Sequence, residues 1–308
     1  MLCSDLTEKT KFSFISSNSS FSECVRQYHL IQYNIFNQKN DNPSCPASQI
    51  VSGRCKYFQI RPSLSGSGLY IFTDTDFLHC EVTGNSCFGG AIDCRTGDLT
   101  IQRCSFASCY SEFRGGAVSF QSSRLCTQED NLYAECWSDD SSGAFDSWDT
   151  SKYPHHSHKR CKYIDSHSTY YAHFAIEYSP DAMIESNIYI HGRSDGTYYA
   201  GSVVNFQAQG AIVYSNSLFV DGEASNSGGL SFLGFYTSDS ATLSVKFCFF
   251  LNNFGADDTA REIYFNGDTS RNAREDLIIH SFSATPGSTV FIQNKSPQDK
   301  DWLPFAYL

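Results

Sequence analysis

Three acidic residues, Asp93, Asp146 and Glu177, occupy the same position in three copies of a short repeated block. Each of them directly follows the first apolar residue of its block. If the blocks stack as strands of successive turns, Asp146 and Glu177 lie about 5 Å apart on adjacent turns, and Asp93 lies roughly 10 Å from Asp146. Carboxyl pairs about 5–5.5 Å apart suit retaining glycoside hydrolysis, and wider pairs suit inversion. Stacked like charges also raise one pKa, as a general acid requires. These three are therefore candidate catalytic residues, and a solvated acidic face is the alternative.

A histidine-rich segment, residues 153–161, could also do chemistry. It contains His155, His156 and His158 and ends at Cys161. Three histidines and a cysteine can bind a transition metal. His155 and His156 are adjacent, however, so on a strand they point to opposite faces. We interpret the segment as an exposed polar loop, and we expect no metal and no cofactor. The alternative is a metal site, for which the three histidines are the candidate ligands.

Other catalytic motifs are missing from the sequence. It contains no Gly-x-Ser-x-Gly elbow, no Walker loop or dinucleotide fingerprint, and no Cys-x-x-Cys zinc pair. A β-elimination lyase would need a basic residue beside an acidic calcium site. Lys152, Lys159 and Arg160 are the basic residues that we expect near Asp146.

The elements that must position these residues repeat along the chain. The blocks alternate apolar and other residues with the period of a strand, and Gly-, Ser-, Asn- and Asp-rich turns separate them. Their first apolar positions, 23 to 33 residues apart, are Leu69, Ile92, Val118, Phe145, Ile176, Val204, Leu230, Ile263 and Val290. Repeats that bury their apolar sides only against their neighbours are typical of solenoids. We predict an all-β, right-handed parallel β-helix of about nine coils with an N-terminal cap.

The repeat divides the chain into three parts. Residues 66–292 keep the pattern and are predicted to form the β-helix. Residues 1–65 do not keep it well and are predicted to form the cap and degenerate first coils, because an uncapped solenoid end exposes strand edges. Residues 293–308 are the C-terminal tail.

Five of the 13 cysteines recur at a similar point of the repeat: Cys80, Cys104, Cys136, Cys161 and Cys248. A column of small buried thiols explains this spacing, because free cysteine buries readily. Disulfides between adjacent turns are the alternative.

Two short motifs carry a family resemblance. Residues 89–92 (Gly-Gly-Ala-Ile) and 115–118 (Gly-Gly-Ala-Val), with residues 248–253 (Cys-Phe-Phe-Leu-Asn-Asn), resemble the repeats of polymorphic outer-membrane proteins and of surface proteins from parasitic protists. Those proteins are similar to right-handed parallel β-helices of the pectin-lyase-like class. The resemblance covers about residues 66–292. It implies an extracellular or cell-surface location and a function among lyases, hydrolases, adhesins and stalks.

Charge and hydropathy exclude some partners. The net charge is −11 and there is no basic block, so nucleic acid is not an expected partner. No window approaches the ~18 apolar residues of a membrane helix, so we expect no direct membrane insertion. No signal peptide is visible at the N-terminus, and the expected location therefore depends on the resemblance alone.

These observations favour a non-catalytic function without deciding whether the chain is an enzyme. We expect a β-helix repeat protein that is part of a surface or secreted adhesion or structural protein. Its expected partners are glycans or a host or cell-surface protein. The alternative, motivated by the acidic column and by the aromatic residues, is a carbohydrate-active polysaccharide hydrolase or lyase of the pectin-lyase-like type.

Overall fold

The computed structural model describes fifteen segments of the chain. They are residues 50–51, 55–58, 69–83, 88–122, 124–148, 155–179, 181–196, 201–206, 210–225, 227–235, 242–255, 263–267, 277–284, 289–294 and 300–304. Within them the backbone forms strands joined by bends and short connections, and no helix occurs. In the same segments we find no helix of the length and hydropathy needed to cross a membrane.

The structure contains 32 described strands. The first six are β1 (Ile50–Val51), β2 (Cys55–Phe58), β3 (Leu69–Thr73), β4 (Thr75–Leu78), β5 (Glu81–Val82) and β6 (Ile92–Cys94).

Complete turns of four strands occupy the middle of the chain. Their strands are β7 (Asp98–Gln102), β8 (Ser105–Ala107), β9 (Tyr110–Ser111), β10 (Val118–Phe120), β11 (Leu125–Glu129), β12 (Leu132–Ala134), β13 (Trp137–Ser138), β14 (Phe145–Ser147), β15 (His155–Lys159), β16 (Lys162–Ile164), β17 (His167–Ser168), β18 (Tyr171–Glu177), β19 (Asp181–Glu185), β20 (Ile188–Ile190), β21 (Arg193–Ser194), β22 (Gly201–Phe206), β23 (Ala211–Ser215), β24 (Leu218–Val220), β25 (Glu223–Ala224) and β26 (Ser227–Phe235).

Six more strands end the described chain. They are β27 (Thr242–Leu251), β28 (Phe254–Gly255), β29 (Ile263–Gly267), β30 (Leu277–Ala284), β31 (Thr289–Asn294) and β32 (Lys300–Pro304).

Strands at equivalent places in successive turns pair in parallel and form four ladders. The first ladder contains β1, β3, β7, β11, β15, β19, β23, β27 and β30, and the second contains β2, β4, β8, β12, β16, β20, β24, β27 and β30. The third contains β5, β9, β13, β17, β21, β25 and β28, and the fourth contains β6, β10, β14, β18, β22, β26, β29, β31 and β32. Among the described strands, β32 alone is antiparallel to its neighbour. The chain is thus an all-β parallel β-solenoid of the right-handed type, as predicted.

The number of turns is about five, from β7 to β26, and the prediction of nine was wrong. One cause is Leu69, which was counted with Ile92 but pairs with Asp98 in the first ladder. Another cause lies at the end of the chain, where β27 is long enough to join the first and second ladders. Among the described strands after β28, β30 pairs along β27 and extends the first and second ladders, and β29, β31 and β32 extend the fourth. None of these strands extends the third ladder, so the last blocks of the repeat do not each close a turn of four strands.

The apolar alternation fills the inside of the solenoid. Strands of the first ladder, such as β7 and β11, bury their second and fourth residues and leave the others at least partly exposed. Seven aromatic rings of the second ladder stack along the inside, with neighbouring centroids 4.6–5.0 Å apart: Phe77, Phe106, Tyr133, Tyr163, Tyr189, Phe219 and Phe250. This spacing is that of paired strands, so the ladder itself holds the rings in contact.

The Gly-Gly-Ala motif forms the entry to the fourth ladder. Gly89 and Gly115 have φ values of 61° and 64°, in the left-handed region where only glycine avoids a steric penalty. The second glycine packs on the next turn, since a Cβ on Gly116 would lie 2.0 Å from the carbonyl oxygen of Gly143. The recurrence of the motif therefore reflects backbone packing between turns.

The corners of the solenoid carry charged columns. The residue between the first and second ladders has positive φ in each turn, and in four successive turns it is Asp74, Arg103, Asp130 or Arg160. Arg103 binds Asp74 at 2.7 Å, and Arg160 binds Asp130 at 2.7 Å. At the next corner His191 bridges Asp165 and Asp221, at 3.0 and 3.4 Å. Arg–Asp and His–Asp pairs at equivalent positions thus link consecutive turns.

Eight cysteines whose side chains are described, including the five predicted ones, are buried free thiols, as predicted, but they do not form one column. Cys80, Cys109 and Cys136 precede the third-ladder strands. Cys104 and Cys161 belong to the corner before the second ladder, where they alternate with asparagine. The side chain of Asn131 accepts a hydrogen bond from the amide of Cys104 at 2.9 Å, and Asn187 does the same for Cys161 at 2.8 Å.

The predicted division of the chain stays a prediction. Of the predicted cap, residues 1–65, the structure describes only 50–51 and 55–58. Of the predicted tail, residues 293–308, it describes 293–294 and 300–304, and the second of these segments is strand β32, which pairs with β31.

Candidate functional site

The main polar site lies on the outer side of the fourth ladder and is centred on Arg114. This residue belongs to the connection between β9 and β10, where its backbone pairs in parallel with Phe88 and Ser141 of the neighbouring turns. Its guanidinium group stacks on the ring of Trp148, 4.4 Å from the ring centroid. The stack and the backbone pairing direct the guanidinium toward the acidic residues of the next two turns.

Arg114 brings together two of the three predicted acids. Its Nη1 atom lies 3.2 Å from Oε1 of Glu177 and 3.6 Å from Oδ2 of Asp146. Its Nε atom lies 3.7 Å from Asp140, and Ser141 donates a hydrogen bond to Asp146 at 3.2 Å. The carboxyl groups of Asp146 and Glu177 are 0% and 4% exposed. We call Arg114, Asp140, Asp146 and Glu177 the arginine cluster.

Burial controls the ionisation of this cluster. It raises the pKa of Asp146 to about 6, although the nearby guanidinium of Arg114 opposes the shift. It raises the pKa of Glu177 to about 8, again against the effect of Arg114, and the charge of Asp146 adds to the increase. At neutral pH Glu177 therefore keeps its proton, while Asp146 is ionised and paired with Arg114.

The register of the acidic residues differs from the prediction. Asp93, Ser119 and Asp146 share one column, so Asp93 lies two turns from Asp146. Asp146, however, pairs with Ala175 and not with Glu177. The repeat was aligned on Ile176, whereas the ladder aligns Phe174 with Phe145, so Glu177 lies two residues beyond the predicted column. Likewise Val203, not Val204, continues the ladder.

Asp93 does not belong to the arginine cluster in the described part of the chain. Its carboxylate pairs with Arg95 at 2.9 Å, two residues along the same strand edge. Of the three predicted acids, the structure therefore places Asp146 and Glu177, but not Asp93, around a shared cation.

The cation at this site was missed by sequence reasoning. Of the predicted basic residues, Lys159 pairs with Glu185 and Arg160 with Asp130, both at the first-ladder corner. Lys152 lies outside the described residues. Arg114 is 32 residues before Asp146. The sequence did offer one indication of its role. Arg114 directly precedes the second Gly-Gly-Ala motif, and residues at equivalent positions of adjacent turns are neighbours in space.

The predicted histidine loop is a strand, and that interpretation was wrong. Residues His155–Lys159 form β15, in which the second and fourth residues are buried. His155 points outward and pairs with Asp181 at 2.9 Å. His156 and His158 point into the solenoid, so the three histidines do not act as one group. The segment lacks the Gly, Asn and Asp residues of the other turns, which is a signal for a strand.

Inside the solenoid, His156 and His158 meet Cys126 of the preceding turn. One ligand atom from each residue lies within 4.8 Å of the other two. Nε2 of His158 is 3.3 Å from Nδ1 of His156, and Nε2 of His156 is 3.1 Å from Oγ of Ser147. Burial lowers the pKa of His156 to about 3, so its ring is neutral. Cys126, His156 and His158, which we call the interior cluster, could hold a metal.

A third feature is an exposed column on the third ladder. It consists of the outward residues Tyr110, Trp137, His167 and Arg193, which are in register in successive turns. The rings of Tyr110 and Trp137 are 5.1 Å apart, and Trp137 is 40% exposed. The Tyr110 hydroxyl donates to Asp139 at 2.7 Å. An exposed aromatic pair beside charged groups can bind a ligand with both apolar and hydroxylated faces.

Comparisons of the chain with protein-family models, with curated proteins and with solved structures found no match.

Proposed function

We propose that this chain is a non-catalytic β-helix module of the pectin-lyase-like type, part of a surface or secreted protein, with a role in adhesion. The observation that carries the proposal is the state of the arginine cluster. Asp146 and Glu177 are buried, and both contact the same guanidinium. A glycosidic substrate needs carboxyl groups that can reach its scissile bond, whereas these groups link three turns of the solenoid to one another.

The ion pairs at the corners of the solenoid also support a structural function for the module. The Arg103–Asp74 and Arg160–Asp130 pairs and the His191 bridge each join neighbouring turns. Each exposed pair contributes little alone, and a network of them contributes more. A solenoid linked in this way serves as a rigid support that presents one face to a partner.

The proposed contact face is the Tyr110–Trp137 column, and the proposed partner is a glycan. The apolar face of a sugar ring stacks on Tyr or Trp, and its hydroxyl groups hydrogen-bond to charged side chains. Such side chains lie along the column, since Asp139 accepts a hydrogen bond from Tyr110, and Asp195 pairs with His167 and Arg193 in the following turns. The repeat spacing of the column suits a polymer that lies along the solenoid axis.

Binding to an array of plant, bacterial and animal glycans tests the proposal. We expect Trp137→Ala to weaken binding about tenfold, equivalent to about 1.4 kcal/mol. Leu125→Ala is the matched control, because Leu125 is an exposed apolar residue of the first ladder. Equal binding by both variants, or binding to a cell-surface protein and to no glycan, would contradict the glycan assignment.

One observation favours the alternative of a carbohydrate-active enzyme. The pKa of Glu177 is raised to about 8, which suits a general acid at neutral pH, and ionised Asp146 shares its cation. This alternative requires that the buried carboxyl groups of the arginine cluster become accessible to a substrate. It predicts release of reducing ends from a polysaccharide, and loss of that release in Glu177→Gln.

A further inference from the structure

We propose that Cys126, His156 and His158 form a binding site for one monovalent copper ion inside the solenoid. The site is separate from the arginine cluster and from the exposed aromatic column. The proposal assigns metal binding to the interior of the solenoid, and it does not depend on the proposed function.

The position of the interior cluster in its ladder is the first argument. Two columns of inward-facing side chains run along the first ladder. Outside the level of the interior cluster, their members with described side chains are apolar or aromatic. The columns are Tyr70, Leu99, Cys126, His156, Ala182 and Ile212, and Phe72, Ile101, Gln128, His158, Ile184 and Tyr214. Apart from the tyrosines, the polar residues of the two columns lie in two adjacent turns. They are Cys126, Gln128, His156 and His158. Polar groups are costly in such a core, so their concentration at one level indicates a specific use.

The geometry of the two rings is the second argument. Their facing nitrogens are 3.3 Å apart, and two nitrogen ligands about 2.0 Å from one ion lie about 3.3–3.5 Å apart. Nε2 of His156 is in turn 3.1 Å from Oγ of Ser147. Metal-bound histidines characteristically donate their second N–H to such a partner, which fixes the ring. The thiol of Cys126 completes the three-ligand set within 4.8 Å.

The hydrogen bonds of the protein alone engage the interior cluster weakly. Nε2 of His158 and Nδ1 of His156 contact each other at 3.3 Å, longer than most hydrogen bonds between nitrogen and oxygen. The side-chain amide of Gln128 lies 4.0 Å from the sulfur of Cys126. A bound ion would engage the sulfur and these two nitrogens. Nδ1 of His158, which is buried without a hydrogen-bond partner among the described residues, would keep its proton.

Charge balance selects the ion. A cysteine thiolate and two neutral imidazoles carry a total charge of −1, so Cu⁺ gives a neutral site and Zn²⁺ leaves a net charge of +1. The contacts described around the cluster include the Ser147 hydroxyl, the Gln128 side-chain amide and the rings of Phe120, Phe145 and Phe174, which are uncharged. An unpaired charge is costly in such surroundings. Thiolate and imidazole are also ligands that bind Cu⁺ well.

Binding involves no oxidation or reduction. The S–H bond of Cys126 breaks, a Cu–S bond forms, and the proton leaves to solvent. Each histidine supplies a lone pair from one nitrogen and keeps its other proton. Because the residues are buried, the ion must enter while the solenoid folds.

The test is to refold the full chain without oxygen, with one equivalent of Cu⁺ supplied as its acetonitrile complex, and then to add excess bicinchoninate as competitor. We expect one retained copper per chain in the wild type. Cys126→Ser and His158→Gln should each lose it. His155→Gln, on the outer side of the same strand, and Cys136→Ser, a buried thiol of another column, should keep it.

X-ray absorption of the wild type keeps the test decisive if a variant does not fold. We expect one sulfur and two nitrogen ligands at the copper. A copper bound by two or more sulfurs would lie at other thiols of the chain and would overturn the proposal. No retained copper, or retention of Zn²⁺ in preference to Cu⁺ in the same competition, would overturn it as well.

Discussion

The arginine cluster and the interior cluster bury polar groups in opposite ways. The arginine cluster lies outside the fourth ladder and combines one cation with three carboxyl groups. The interior cluster lies inside the first ladder and contains a thiol and two imidazoles. Burial raises the pKa of Glu177 and lowers that of His156, so in both places it favours the neutral form.

The difference between the clusters lies in what each would lose if a partner were removed. Removal of Arg114 leaves two buried acids with no cation, whereas the interior residues satisfy one another only by neutral hydrogen bonds. Breaking a buried ion pair is costly because a charge stays unpaired. Neutral groups lose less, about 1–3 kcal/mol for a buried atom left without a partner. The solenoid therefore depends more strongly on the outer cluster.

The largest effect is expected from Arg114→Met, which retains the aliphatic packing of the side chain and removes its charge. We expect the free energy of unfolding to fall by about 3–5 kcal/mol, measured by urea titration at pH 7. A fall below about 1 kcal/mol, the value of an exposed pair, would show that the cluster does not support the fold.

The second prediction concerns pH. The folded pKa of Glu177, about 8, lies above the ordinary value of 4.5. Between pH 6.5 and 8 the folded chain thus holds a proton that the unfolded chain has released. Stability must therefore fall as the pH rises, by up to about 1.4 kcal/mol per pH unit. Urea titrations at several pH values should show this slope, and Glu177→Gln should remove it. A slope that persists in Glu177→Gln would assign the proton to another group.

A smaller effect is expected from Tyr133→Phe at the edge of the interior cluster. The Tyr133 hydroxyl donates a hydrogen bond to Gln128, so its loss leaves a buried amide oxygen unpaired at a cost of about 1–3 kcal/mol. Tyr163 is the matched control. It stacks in the same aromatic column, and its hydroxyl has no hydrogen-bond partner in the described structure. Tyr163→Phe should be neutral or stabilising, and equal losses in the two variants would contradict this reasoning.

The smallest effect is expected at the exposed corner. Arg103 makes two hydrogen bonds to Asp74, but its side chain is 55% exposed. Solvent screens such pairs, so Arg103→Met should cost no more than about 1 kcal/mol in the urea titration. A loss as large as that of Arg114→Met would mean that burial does not account for the difference between the two arginines.

The fold class could be predicted from the sequence because the repeat expresses a backbone requirement. Left-handed Gly89 and Gly115 mark the same corner in successive turns, and the apolar alternation follows from the strand period. The number of turns could not be predicted, because Leu69 has the same local pattern in a different ladder. Short patterns identify strands but do not identify which ladder a strand joins.

The candidate site was predictable only in part, for a similar reason. Asp146 and Glu177 are found in one cluster, although a two-residue difference in register separates their columns. Arg114 and Cys126 come from the turns before, so no local spacing connects them with their partners. His156 and His158 were misread because polar residues inside a solenoid have the same sequence pattern as a polar surface strand.

The most direct test of the account is a release assay on a panel of plant, bacterial and animal polysaccharides. It reads new reducing ends and the absorbance of unsaturated products, with the wild type beside the Asp146→Asn, Glu177→Gln double variant. We expect no turnover by either protein, because both carboxyl groups serve the fold. Turnover by the wild type that the folded double variant lacks would contradict it and identify the arginine cluster as an active site.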